Sequence, residues 1–252
     1  MTKLIVSMLA LSIGSTAAFA DGDHASHALH QDGAVISPAS ETATAAFDIL
    51  AAHAHRNANQ VTFHMTTHGV AGGEAPDPNG ALGGAPVYSY VWPTSLDPAS
   101  VGFEPGTGIL ALAATSHPDF DDTPLVDENR DGDPANDGLL WHSHWVVLVP
   151  TETCGPGALA VRDIPEGETP RLPATWPGLP IFLDSPGFTP LFDGPEIVVT
   201  VGFASDVELE AMSYDGVTGA LRVNANIHAP LLCVTDVFDV ASGDLSLPGI
   251  VQ

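Results

Sequence analysis

Apolar and polar positions alternate along most of the chain with a period of two. Val61, Phe63, Met65 and Thr67 interleave with Thr62, His64, Thr66 and His68. Successive side chains of an extended chain point to opposite faces, so this stretch predicts a strand with one buried face. Val87 to Trp92, Ile109 to Thr115, Ala158 to Val161 and Glu196 to Ala204 read the same way and are rich in β-branched and aromatic residues. Val207 to Tyr214 and Ala220 to His228 read as hairpin arms joined by Asp215-Gly216-Val217-Thr218-Gly219, and Leu231 to Val240 reads as a closing strand. The period turns helical in Ser40 to Asn57, where Ala46, Phe47, Leu50 and Ala54 line one side, Ser40 can cap and Glu41 sits in the first turn. On such a helix His53 and His55 would point apart.

Residues 165–195 follow neither period. They are too dense in proline for a helix or a central strand. They nevertheless carry Leu172, Trp176, Leu179, Ile181, Phe182, Phe188 and Phe192, which predicts an ordered cover packed over a sheet. Short strands, Gly/Pro-rich joins and no strand–helix alternation together predict an all-β fold. The expectation is a β-sandwich or barrel of antiparallel strands with one N-terminal helix, as a single domain over residues 40–252.

One strand stands apart. In Trp141-His142-Ser143-His144-Trp145 and on to Pro150, Trp141, Ser143, Trp145, Val147 and Val149 share one face, and His142, His144, Val146 and Leu148 share the other. Both faces are mostly apolar, which predicts a strand covered on both sides. Residues two apart on a strand stand about 7 Å apart, close enough for two imidazoles to lean onto one metal ion at about 2 Å each. His142 and His144 are therefore the candidate ligand pair, with His64 and His228 as candidate third donors from other strands. His64 and His68 would share a face of a helix at ligand spacing, but on a strand they stand about 13 Å apart, so only His64 is retained. His117, in Ser116-His117-Pro118-Asp119, reads as a surface histidine that could ligate or move a proton. The His-x-His pair resembles the metal motif of cupins, whose glutamate and second Gly/Pro/His motif are absent here, so no family is assigned.

The loop preceding this strand is acidic. Asp127, Asn129, Asp131 and Asp133 in Asp127-Glu128-Asn129-Arg130-Asp131-Gly132-Asp133 match the opening of a calcium loop, although Gly138 stands where an EF-hand has its closing glutamate. Because the loop runs into the His142 strand, it is also expected to form a wall of the metal pocket.

Composition narrows the function. The 252 residues carry 31 acidic and 6 basic side chains, a net charge of −25. Lys3 is the only lysine. No basic patch exists for nucleic acid, and no lysine exists for a phosphate loop beyond the N-terminus. Lys3, the apolar run Leu4 to Ile13 and Ala18-Phe19-Ala20 have the form of an export signal cleaved after residue 20, too short to span a bilayer. Export to the periplasm or beyond, without membrane insertion, is the expectation. Residues 21–39, with His24, His27 and His30, read as a mobile tail able to collect metal ions. The two cysteines, Cys154 and Cys233, are expected to form a disulfide in that compartment.

These observations predict an exported protein that holds zinc or copper through strand histidines, with Met65 and Met212 leaving copper(I) open, and with calcium as a second ion. A metal-dependent enzyme acting on a small molecule through the same histidines, and a metal-free ligand-binding β-sandwich, are the alternatives. Hydrolase signatures such as G-x-S-x-G and H-E-x-x-H are absent.

Overall fold

A computed structural model describes residues 33–252. In chain order its strands are β1 (Val35–Ile36), β2 (Ile49–Asn57), β3 (Gln60–Thr67), β4 (Pro86–Pro93), β5 (Ile109–Ser116), β6 (His142–Pro150) and β7 (Leu159–Val161). Then follow β8 (Leu183–Asp184), β9 (Leu191–Asp193), β10 (Glu196–Gly202), β11 (Ser213–Tyr214), β12 (Val217–Val223), β13 (Leu232–Val240) and β14 (Gly249–Ile250). All pairings are antiparallel. The helical elements among the described residues are two short 3-10 turns, Pro98–Val101 and Glu152–Cys154. None of the described helices is long and apolar enough to cross a membrane.

Six strands close into a barrel in the order β5-β4-β12-β13-β7-β6, with β6 pairing back onto β5 and β8 added at the edge of β6. A five-stranded sheet, β1-β2-β3-β10-β9, forms the second layer. The period-two alternation divides the core accordingly. Tyr90, Trp92, Leu110, Leu112, Trp145 and Val147 point out of the barrel and pack with Phe63, Met65, Ile197 and Val199 of the sheet. Val87, Ala111, Ala113, Val146, Leu148 and Val161 form a second core inside the ring. The two faces of β6 therefore belong to two different cores, which is why both are apolar.

The expected helix over residues 40–57 is not formed. Ser40 does accept backbone N–H bonds from Thr42 and Ala43, but the chain makes one turn at Thr44 and becomes strand at Ile49. Buried Asp48 ends that turn by accepting the Ser40 N–H, and the Ile49 N–H bonds Asp239 of β13. The alanines that raise helix propensity here serve close packing instead: a Cβ on Gly216 would stand 2.7 Å from the Ala52 Cβ. Tertiary contact overrides a propensity worth tenths of a kcal/mol per residue. The expected hairpin at Asp215 to Gly219 is also shifted. β12 begins inside it, and the true hairpin joins β12 to β13 across residues 224–231.

The proline-dense segment is an ordered cover. Leu172, Trp176, Phe188 and Phe192 pack on the inter-layer core, while Leu179, Ile181 and Leu183 belong to the interior one. Cys154 and Cys233 form a disulfide across 79 residues of chain. Its place matters, because β13 and β7 meet through a single register pair, Cys233 with Ala160. The covalent link reinforces the weakest seam of the barrel.

Candidate metal centre

At one end of the barrel interior, His117, Asp122, His142 and His144 converge. All four are buried, and one ligand atom from each lies within 4.8 Å of the others. The Asp122 Oδ1 stands 3.2 Å from the Nε2 of each of the three histidines, and the Nε2 atoms of His117 and His142 are 3.0 Å apart. Among the described residues no other group of three or more His, Cys, Asp or Glu side chains converges in this way.

Each ligand has an evident positioning device. His142 and His144 project inward from β6, and Ala113 and Thr115 are their cross-strand partners on β5. His117 continues the same inward parity two residues past Thr115, and its N–H is held by the Gly138 carbonyl at 2.7 Å. Asp122 comes from the acidic loop, whose carboxylates hold the loop's own backbone. Asp121 accepts the N–H groups of Thr123 and Asp137, and Asp137 accepts that of Glu128. Gly138 is required for space. A Cβ there would lie 1.8 Å from the Phe120 carbonyl oxygen.

The hydrogen bonds fix the tautomers. His117 Nδ1 donates to the Phe120 carbonyl at 2.9 Å and His142 Nδ1 to the Leu140 carbonyl at 2.7 Å. His144 Nδ1 lies 3.3 Å from the Asp184 carbonyl and 3.2 Å from the Ser185 Oγ. That hydroxyl donates its own hydrogen to the Asp122 carbonyl, so toward His144 it accepts. Carbonyls only accept, so all three Nδ1 atoms carry a hydrogen and all three Nε2 atoms face Asp122 Oδ1. His144 Nε2 and Asp122 Oδ1 are buried without a hydrogen-bond partner. Backbone anchoring of the outer nitrogen is the usual arrangement around a metal-ligating histidine.

The electrostatics follow. Burial alone would raise the Asp122 pKa, but His144, His117 and His142 override it and hold the carboxyl well below the ordinary range. Burial would lower His142, yet the Asp122 carboxylate 3.2 Å from its Nε2 leaves it raised. For His144 burial wins over Asp122, and its pKa is lowered. Three imidazoles and one carboxylate at these separations form a site that could hold a metal ion. Ligands at 2.0 to 2.2 Å from a tetrahedral ion would stand about 3.3 to 3.5 Å apart. The Asp122 Oδ1 to Nε2 distances of 3.2 Å and the His117–His142 Nε2 distance of 3.0 Å are near that spacing, and the whole group of donor atoms lies within 4.8 Å.

Comparison of the chain with protein-family models, with curated proteins and with solved structures returned no match. The site therefore rests on its own geometry.

Of the four histidines singled out from the sequence, the structure brings His142 and His144 together. His64 lies on β3 in the other layer, stacked on His53 at 4.2 Å, and its side chain is on the face opposite Phe63 and Met65. His228 lies in the turn after β12, with its Nδ1 3.0 Å from Asp163. Neither belongs to the cluster. His117, read as a surface residue, is buried, and Asp122 was one acidic residue among many. His53 and His55, which a helix would have set apart, share a face of β2. The expected calcium loop is exposed. The Asp127 carboxylate accepts the N–H groups of Asp131 and Gly132, and those of Asp131 and Asp133 are held by Asn129 and Asp131. The leader and the part of the expected tail that holds His24, His27 and His30 lie outside the described residues. Its remainder, residues 33–39, is no tail: Val35–Ile36 form β1, paired with β2, and Val35 is buried in the inter-layer core.

Proposed function

We propose that this is an exported metal-binding protein that holds one divalent transition metal, zinc first, through His117, His142, His144 and Asp122. The observation that carries the reading is the convergence of three imidazole Nε2 atoms on a buried carboxylate, each ring anchored behind by its Nδ1–H. Imidazole-rich sites with one carboxylate suit zinc or copper(II). A soft-donor copper site is disfavoured, because both cysteines are in the disulfide and Met65 and Met212 belong to the inter-layer core. Export is supported by the leader pattern of residues 1–20 and by the disulfide, which belongs to an oxidising compartment.

Elemental analysis of untagged protein tests the reading. One metal per chain is expected after incubation with zinc and gel filtration, lost in His144→Ala and Asp122→Ala and kept in His64→Ala and His228→Ala. Wild-type protein without bound metal would overturn it. Protein from its native host is expected to begin at Asp21, and an intact leader would overturn export. A second reading, a metal-dependent enzyme, is favoured by one observation. Three of the four ligand residues line an internal cavity, from which a fifth donor can approach the metal.

A further inference from the structure

Inside the six-stranded ring lies a cavity of about 90 Å³. At about 30 Å³ per water, that is room for some three waters. Its walls are almost wholly hydrocarbon, with Val87, Val91, Val146, Leu148, Val161 and Leu183 among them. The hydroxyl of Ser89, which also lines it, is committed to the Gly219 carbonyl. Water against such walls lacks the two to four partners that hold it, whereas an apolar group loses nothing there.

The wall changes character at one place. His117, Asp122 and His144 line the cavity with Thr115 and Phe120, and His142 does not. The chamber therefore meets the cluster through the triangle of those three residues, with His142 behind it. An ion held by all four donors would face the chamber through that triangle. Val237 and Leu245 also line the cavity while being 47 % and 42 % exposed, so they mark where it reaches the surface.

We infer that the barrel interior is a chamber for one small ligand with an apolar body and a single terminal donor atom. It enters past Val237 and Leu245 and adds a fifth donor to the metal from the side opposite His142. The inference rests on the metal reading of the cluster. The volume limits the body to a few carbons, and the apolar wall selects for them.

The test uses the full chain loaded with cobalt(II), whose visible bands report coordination number. Formate, acetate, propionate and butyrate are titrated at fixed pH and ionic strength, so that charge is constant along the series. From acetate to butyrate, binding is expected to tighten about fourfold per methylene until the chamber is full. Val237→Trp and Leu245→Trp add bulk at half-exposed positions that leave the core untouched. They are expected to keep cobalt and to abolish the gain with chain length. A flat or falling affinity along the series on cobalt-loaded wild type would overturn the chamber while leaving the metal reading standing. A gain that persists unchanged in both rim variants would likewise overturn it. Failure of the wild type to take up cobalt would overturn the metal reading and the chamber with it.

Discussion

Replacing Gly138 by alanine tests whether the outer hydrogen bonds of the cluster set its affinity. The added Cβ would stand 1.8 Å from the Phe120 carbonyl oxygen, 2.6 Å from the His117 carbonyl oxygen and 2.9 Å from the His117 Nδ1. An ordinary contact needs at least about 3.4 Å, so the Phe120 oxygen must retreat by about 1.6 Å. Residue 138 cannot readily withdraw instead, because its own carbonyl holds the His117 N–H at 2.7 Å. The retreating oxygen is the acceptor of the His117 Nδ1–H, now at 2.9 Å, and a shift of that size breaks the bond. His117 then loses the partner that fixes its tautomer and ring plane. Loss of such a partner costs about tenfold to a hundredfold in metal affinity. The metal-free protein should lose about 1 kcal/mol for the broken bond, with strain in addition. Zinc affinity is read by competition with a chromophoric chelator, and stability by urea unfolding of the metal-free protein. A zinc affinity within about threefold of wild type would refute the argument, since tenfold is the least such a partner costs.

Other consequences are equally direct. His142 keeps its proton to higher pH than a free histidine, because the adjacent Asp122 carboxylate outweighs burial. Zinc must displace that proton, so affinity should fall as pH drops, with the fall starting above 6.5 and approaching a decade per pH unit per proton. Titrations with equal affinity at about pH 8 and about pH 6 would contradict this. His53 is held down to about 4 by burial, then by the neighbouring His64 and His55. Its folded pKa lies below the ordinary 6.5, so the unfolded chain binds the proton first, and stability is full above 6.5 and is lost as pH falls toward 4. Allowing for solvent screening at the sheet, the loss should be about 1 to 2 kcal/mol, and His53→Phe should flatten the pH dependence of the urea midpoint. Cys154→Ser/Cys233→Ser should cost up to about 4.5 kcal/mol in the chain-entropy account. Hydrogen exchange should then quicken first around Ala160 and Cys233, where β7 and β13 share one register pair.

The part of this architecture that was legible in the sequence is the part that depends on period alone. Strict alternation sorted Trp145 and Val147 from His142 and His144, and the structure puts the first pair in the inter-layer core and buries the imidazoles on the opposite face of β6. The same parity runs from Ala113 through Thr115 to His117. Extending it two residues past the apolar run would have found the third imidazole, which Pro118 and the acidic loop obscured. His64 went astray for another reason. Its strand alternates correctly, but pairing with β2 and β10 put it in the second layer, and strand order is not a local property. Asp122 had no signal of its own among the acidic residues of its loop. Its selection depends on Asp121 and Asp137 folding that loop onto itself. The helix expected at residues 40–57 failed because alanine content favours helix locally, while close approach to Gly216 uses the same small side chains in a strand.

A buried carboxylate needs compensation, and this chain provides little of the ordinary kind. Among the described residues, the basic groups within ion-pair distance of Asp122 are the three histidines, and no arginine reaches it. Protonating one imidazole pairs the charge. Protonating a second sets two imidazoliums against each other, with His117 and His142 Nε2 only 3.0 Å apart. A single dication more than offsets the carboxylate and accepts all three imidazole nitrogens at one point, so the metal should act as part of the core. Free zinc at about 100 times its dissociation constant should then stabilise the fold by about 2.7 kcal/mol. A chelator should remove that increment from wild type. In Asp122→Asn, which keeps the shape but withdraws the charge, the chelator should shift the melting temperature little. An equal shift in both proteins would place the stabilising ion somewhere other than this cluster.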